Sequence, residues 1–539
     1  KEGNGHVYVD TWPLTKIDTQ ASARIAKRVA CDILYLDCSN YDFFYTIRSD
    51  AQTVGGPSGG AAVTVATIAA LLDLDISGKV MMTGTINLDG SIGQVSGILE
   101  KVEAVAKKGN TFLIPYKQSV ITLKTSEKTK YPVTENETSE IIDVKEYAKE
   151  HFNLTVAEVK TIKEAFMHFT NYKIKEPELE FQKTQEYQGI MRKLADELIN
   201  KSAKLKETCE KKLETTKISY KYQKQVTKFC ELSMDETMQS YEKEDYYSGA
   251  SLAFSGTISY LQGINLIDLM ESEDKKTFLF DYLKNVEGKI FKANTSNIEL
   301  YAVTEERLSE AAENLELAWK NYYNGDYVQG VYYGSFADAR LYTAELWNRY
   351  ADQFPVYIKR ESGELKEIAN EIISDSQAIF TYSSLSSSGV FLDRAKDFLD
   401  TAQDNYKKGN YYSAIILGLK SGANAELASE VSDDIDHLIE LRRKKALIYL
   451  NRTKSVTGQS YFEYADTLRE SNKPASLTYF TYAEKLSRLN EILNKDVEMK
   501  EIKPGVYIEP VTCDGWEYFP VFFVCFILGL SGGIFIGKL

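Results

Sequence analysis

Proline limits where a helix can run more strictly than any other residue, because its ring fixes φ and its nitrogen has no hydrogen to donate. The chain of 539 residues holds ten prolines, and none interrupts it between Pro177 and Pro355. From about 176 to 503 the sequence is rich in Glu, Lys, Ala, Leu and Tyr, so this stretch reads as an all-α domain. It also repeats. Asn321-Tyr322-Tyr323-Asn324-Gly325-Asp326-Tyr327 matches Asn405-Tyr406-Lys407-Lys408-Gly409-Asn410-Tyr411, and Tyr241 to Ala250 is a looser third copy. Each copy places a turn between two helical stretches, and small residues such as Ala414, Gly418 and Ala423 follow it, which is the logic of helical-hairpin repeats. The 36 tyrosines read as helix-interface packing, with a peptide-binding groove as the lesser alternative.

Residues 1–175 read differently, as an α+β domain in which short β-rich runs alternate with helical periods. Val7 to Val9 reads as a strand, Ala21 to Ala30 as a helix, and Ile33 to Asp37 and Phe43 to Ile47 as strands. A helix from Ala61 to Leu74 follows the glycine-rich turn Gly55 to Gly60. Lys79 to Ile86 and Ile92 to Val95 read as a hairpin around Asn87-Leu88-Asp89-Gly90. Leu99 to Lys107 reads as helix, Thr111 to Pro115 as strand, and Val144 to His151 and Val156 to His168 as helices.

At the other end, Tyr518 to Gly537 carries no charge and at about 1.5 Å per residue spans about 30 Å, the thickness of a bilayer's hydrocarbon. It reads as a transmembrane helix, with 504–517 as a linker. Lys538 after the span puts the C-terminus in the cytoplasm by the positive-inside tendency, and the bulk of a single-pass cell-membrane protein outside. The chain opens on Lys1 and not on Met, so removal of an N-terminal segment, by processing or by design, is expected. Four Asn-x-Ser/Thr sequons (Asn136, Asn153, Asn294, Asn451) agree with an outside location. In an oxidising compartment Cys31/Cys38 and Cys209/Cys230 could each close a short loop, isolated buried thiols being the equal alternative. The net charge of −14 argues against a nucleic-acid partner, and four scattered histidines without a Cys/His cluster argue against a structural metal.

The chemistry concentrates in Gly55-Gly56-Pro57-Ser58-Gly59-Gly60. A serine at a helix start, approached through glycines, suits a nucleophile, because substrate backbone comes close and the first amides, at Gly59 and Gly60, can face an oxyanion. The same residues also make an ordinary turn with an N-cap serine. A serine needs a base, and no histidine stands in a recognisable motif. Lys101 is the candidate, since a lysine desolvated toward a neutral amine accepts a serine proton, whereas most helical lysines are simply solvated.

Gly56-Pro57-Ser58-Gly59-Gly60, Met82-Thr83-Gly84, Gly90-Ser91-Ile92-Gly93-Gln94-Val95-Ser96-Gly97-Ile98-Leu99-Glu100-Lys101 and Phe112-Leu113-Ile114-Pro115, in this order, resemble the proteolytic domain of the Lon protease family. The resemblance implies Ser58 as nucleophile, Lys101 as base, and Thr83 as a residue orienting the amine. Trp12-Pro13-Leu14, Asp18-Thr19-Gln20 and Val54-Gly55-Gly56-Pro57 are similar to the archaeal Lon-like serine proteases that lack a motor domain. Three positions depart from the pattern: Gly55 and Thr85 stand where many Lon proteins carry acidic residues, and Ser96 replaces a glycine. No Gly-x-x-x-x-Gly-Lys-Ser/Thr occurs in the sequence, so ATP hydrolysis is not expected.

The sequence is thus read as a membrane-anchored, ATP-independent serine endopeptidase. It would use a Ser-Lys dyad on unfolded or flexible polypeptides, need no cofactor, touch lipid through its last helix and form a homo-oligomer, a hexamer being what the resemblance implies. The alternative is a cell-envelope scaffold or partner-binding protein with an inactive Lon-like domain.

Overall fold

The computed structural model describes residues 1, 3, 5–36, 38, 41–128, 135–354, 362–384, 387–429, 435–489, 493 and 506–511. It divides into two compact units, Lys1–Glu178 with the described part of Ile502–Leu539, and Leu179–Glu501. The apolar run 518–537 lies outside the described residues. No helix among those described is long and apolar enough to cross a membrane.

In the first unit, β1 (Val7–Thr15) runs parallel to β2 (Phe43–Val54), and the two are joined through α1 (Ile17–Leu34). Helix α1 buries Ala23, Ala26, Val29, Ala30 and Leu34 at helical spacing. Ile33 and Leu34, read as the start of a strand, form its last turn instead. Tyr35 closes it in the left-handed region at φ 50°, and a Cys31–Cys38 disulfide ties the exit. A short apolar run buried in a helix has the same local pattern as a buried strand.

A tight turn, Pro57–Gly59, leads into α2 (Gly60–Leu71). Next come β3 (Val80–Met82), β4 (Thr85–Ile86), β5 (Ile92–Gly93), α3 (Ile98–Val105) and β6 (Thr111–Pro115). The expected hairpin survives only as the two-residue β4–β5 ladder, because β3 turns away to pair in parallel with β6. Strands β7 (Val120–Lys128) and β8 (Glu135–Asp143) form an antiparallel pair that the sequence reading passed over. Helix α4 (Val144–Phe152) and β9 (Thr155–Val159) follow.

The order β3-β6-β9 makes a parallel sheet with β6 at its centre. Phe112, Leu113 and Ile114 of β6 are all buried, as a strand covered on both faces requires. Ile98 and Val102 of α3 and Val144 and Ala148 of α4 pack over Phe112 and Ile114. The segment read as one helix from Val156 to His168 is divided between β9 and α5 (Ile162–Thr170). The Thr161 hydroxyl accepts from the Glu164 amide and starts α5 afresh. Finally β10 (Tyr172–Lys175) pairs antiparallel with β11 (Tyr507–Pro510). Part of the stretch read as a linker is therefore a strand of this unit, held also by a Lys175–Glu509 ion pair.

The second unit is helical throughout its described length: α6 (Gln185–Thr215), α7 (Tyr220–Cys230), α8 (Asp235–Glu242), α9 (Tyr246–Glu271), α10 (Lys275–Glu287), α11 (Ile298–Asn324), α12 (Tyr327–Tyr350), α13 (Ser362–Ser384), α14 (Val390–Lys408), α15 (Tyr411–Ser429), α16 (Ile435–Thr453), α17 (Val456–Thr467) and α18 (Lys473–Ser487). The repeated motif has one geometry in all three copies. Gly325, Gly409 and Glu244 sit at φ 79°, 82° and 62°, and each donates its amide three residues back, to the carbonyls of Tyr322, Tyr406 and Tyr241. These are left-handed helix stops, for which glycine is the natural choice and which Glu244 adopts without it. Disulfide Cys209–Cys230 joins α6 to α7. Some tyrosines fill helix interfaces, as Tyr187 and Tyr260 do, fully buried with hydroxyls on Ser460 Oγ and the Leu232 carbonyl, whereas Tyr220 and Tyr323 are exposed.

Candidate active site

The Ser58 turn owes its shape to Gly56, whose φ of 96° and ψ of 148° exclude residues with a Cβ at little cost. Pro57 then sets the first position of the turn, and half-buried Ser58 stands just before α2. Gly60 must also be glycine-sized, since a Cβ there would lie 2.7 Å from Ile86 Cγ2. Its amide donates to the Pro57 carbonyl and so is engaged inside the turn. Gly59 is exposed at the N-cap of α2, with open space where a Cβ would point. Of the two oxyanion candidates, Gly59 is the one that faces outward.

The strand end after β3 grips this turn. Gly84 N donates to the Ser58 carbonyl at 2.9 Å, buried Thr83 Oγ1 donates to the same oxygen at 3.4 Å, and Ala61 N donates back to the Gly84 carbonyl at 3.2 Å. Thr83 and Ser58 are thus brought together, but through Ser58's backbone. The Thr83 hydroxyl donates to that carbonyl, and its oxygen keeps lone pairs that can accept from an amine.

Lys101 lies in the first turns of α3, which begins at Gly97 in the left-handed region, φ 68°. Its Nζ donates to the Ser96 carbonyl at 2.8 Å, and no hydrogen bond joins it to Ser58 Oγ. Partial burial pushes the ammonium below the ordinary lysine value, against the neighbouring Glu100 carboxylate, which pulls it up. That is the direction a base requires. Among the described residues no group of three or more His, Cys, Asp or Glu is placed to hold a metal.

Two residues that the sequence reading did not assign to the site help shape it. Gln118 clamps Val95 from both sides, accepting from its amide at 2.9 Å and donating to its carbonyl at 2.8 Å, which fixes the segment between β5 and α3 that presents Ser96 to Lys101. Asp18, in the first turn of α1, accepts from the Gly56 amide at 3.0 Å. Asp18 stood in the resembling run Asp18-Thr19-Gln20, but its role, like that of Gln118, was hidden because each acts on a backbone group far along the chain.

Residues 27–165 match the Lon protease (S16) C-terminal proteolytic domain. The first unit carries a Lon-type proteolytic domain. The match includes Ser58, Thr83 and Lys101, while Asp18 and the whole of Leu179–Glu501 lie outside it. The archaeal Lon protease of Methanocaldococcus jannaschii is 33% identical over 132 residues, 24% of this chain and 19% of that protein. The Lon protease of Mycoplasmopsis agalactiae is 37% identical over 103 residues, 18% of this chain and 10% of that one. The archaeal Lon protease of Methanothermobacter thermautotrophicus is 34% identical over 95 residues, 17% and 14% of the two chains. The matched segment spans about a fifth or less of each of these relatives.

Proposed function

We propose that this protein is a serine endopeptidase acting on unfolded or flexible polypeptides through Ser58 and Lys101. One observation carries the reading: within the Lon-type domain, a serine on a glycine-shaped turn at a helix start accompanies a lysine whose burial favours the neutral amine. The neutral amine has two hydrogens and one lone pair. One hydrogen suffices for the Ser96 carbonyl, leaving the lone pair to take the Ser58 proton as Oγ attacks the scissile carbonyl. The same proton then passes to the leaving amine, and water releases the acyl group from Ser58. Hydrolysis of an unfolded protein such as casein, compared between wild type and Ser58→Ala, tests this. Equal rates would end it.

The remaining parts of the reading rest on sequence and compartment. The missing nucleotide-binding motif supports ATP independence, and the uncharged run 518–537 supports a membrane anchor. The disulfides Cys31–Cys38 and Cys209–Cys230 support an oxidising, extracytoplasmic location for the bulk of the chain. A ring of six copies is the matching proposal for assembly. The second reading, a scaffold or partner-binding protein with an inactive Lon-like domain, is favoured by one observation: Lys101 Nζ is bonded to Ser96 and not to Ser58. An active wild type beside an inactive Ser58→Ala variant excludes it.

A further inference from the structure

We propose that Asp18 is a positioning residue for the nucleophile, clamping the turn that carries Ser58 from the first turn of α1. This rests on the peptidase reading above. The argument starts at Gly56, whose φ of 96° and ψ of 148° form a conformation that other residues rarely enter. Glycine enters it freely but also leaves it freely, so its neighbours decide whether the turn stays in one shape. Both polar groups of Gly56 are held by consecutive residues of α1: its amide donates to Asp18 Oδ2 at 3.0 Å, and its carbonyl accepts from Thr19 Oγ1 at 3.5 Å.

The clamp is itself braced. Asp18 Oδ1 accepts from the Thr19 amide at 2.7 Å, so the carboxylate has one oxygen for the helix and one for the loop, and the single Thr19 hydroxyl hydrogen is shared between that oxygen, at 3.3 Å, and the Gly56 carbonyl. Just upstream the Lys16 stem packs where a side chain on Gly55 would stand, 2.7 Å from the position of a Cβ. The residues after β1 therefore determine how the chain leaves β2 and enters Pro57-Ser58. β1 and β2 are parallel; their register shifts between Trp12 and Leu14, and the pairing resumes with Leu14 opposite Thr53 and Thr15 opposite Val54, which brings α1's first turn beside the nucleophile turn. On the other side Gly84 N holds the Ser58 carbonyl. The serine is thus fixed between α1 and the strand end after β3.

Asp18→Asn tests this most directly, since an amide has one acceptor oxygen for the two N–H groups that the carboxylate holds, so Gly56 or Thr19 is left facing Nδ2 and the charge-assisted bond to Gly56 is lost either way. The full chain is titrated with a fluorophosphonate probe, separating the maximal labelling rate from the half-saturating concentration and the final labelled fraction. A maximal rate lower by about 10- to 100-fold, with half-saturation and final fraction unchanged, is expected for a displaced nucleophile. Thr19→Val, which leaves the Asp18–Gly56 bond in place, should show a smaller loss. A maximal rate within about twofold of wild type in Asp18→Asn, or a loss confined to the final labelled fraction as misfolding would give, overturns the proposal. Amide hydrogen exchange at Gly56 provides a readout independent of catalysis: faster exchange in Asp18→Asn is expected, and unchanged exchange refutes the clamp. If wild type and Ser58→Ala both stay unlabelled, the peptidase reading fails, while exchange at Gly56 still decides the clamp.

Discussion

Lys101 Nζ donates to the carbonyl of Ser96, five residues before it and 2.8 Å away, so the amine is anchored to its own segment before any substrate arrives. Burial lowers its proton affinity and Glu100 partly restores it. The ammonium cannot accept a proton, so Ser58 reactivity should rise with pH as the amine loses its charge and level off below the ordinary lysine value of 10.5. Fluorophosphonate labelling followed from pH 6 upward reads this directly. Lys101→Arg keeps the charge and cannot deprotonate, so it should abolish the rising limb as completely as Lys101→Met.

Gln118 offers a second handle on the same amine. Because it grips both the amide and the carbonyl of Val95, Gln118→Leu should leave those groups unpaired and loosen the Ser96 carbonyl. The expected loss is about 1–3 kcal/mol in the stability of this unit. Labelling should also slow, with its pH midpoint moved toward the ordinary lysine value as water reaches Lys101. Denaturant unfolding and the pH profile measure the two effects, and an unmoved midpoint would show that Gln118 acts on stability alone.

How much of this was visible beforehand depends on the distance over which each feature is encoded. The strand Thr111–Pro115 and the turns at Gly325 and Gly409 are local, and their residues announce them. Ser58, Thr83 and Lys101 stood out because several short motifs occur in one order. The bonds that arrange them were not visible, since Asp18 to Gly56 and Gln118 to Val95 depend on which segments the sheet brings together. Val156 to His168 misled because its apolar spacing suits a helix throughout, although Thr161 three residues before Glu164 is a helix-start signal inside it. The strand Tyr507–Pro510 has too few residues for an alternation to show, and it exists by pairing with Tyr172–Lys175.

The two disulfides close loops of different length, with sequence separations of 7 and 21. Chain-entropy reasoning assigns about 2 kcal/mol to Cys31–Cys38 and about 3 kcal/mol to Cys209–Cys230. Replacing Cys209 and Cys230 together by Ser should therefore lower the denaturant midpoint of the helical unit, and reductant should do the same to wild type. Equal midpoints with and without reductant would show that neither bond constrains the unfolded chain.

Within the helical unit, Lys420 of α15 donates to Glu306 of α11 at 2.6 Å, and both are buried. Burial alone would raise the Glu306 carboxyl, but the charges of Lys420, Arg307 and Arg340 outweigh it and hold it at about 2. A carboxyl lowered in the folded state adds stability that is fully present above the ordinary value of 4.5 and is lost as pH falls toward 2. The helical unit should therefore weaken progressively across that acid range. Lys420→Met removes the hydrogen-bonded partner and leaves the buried carboxylate with the weaker support of Arg307, 3.8 Å away, and of Arg340. Breaking a buried pair in this way costs about 3–5 kcal/mol at neutral pH. Glu306→Gln in the Lys420→Met background removes the carboxylate that has lost its hydrogen-bonded partner and should recover part of that loss, a difference that a double-mutant cycle by urea unfolding measures.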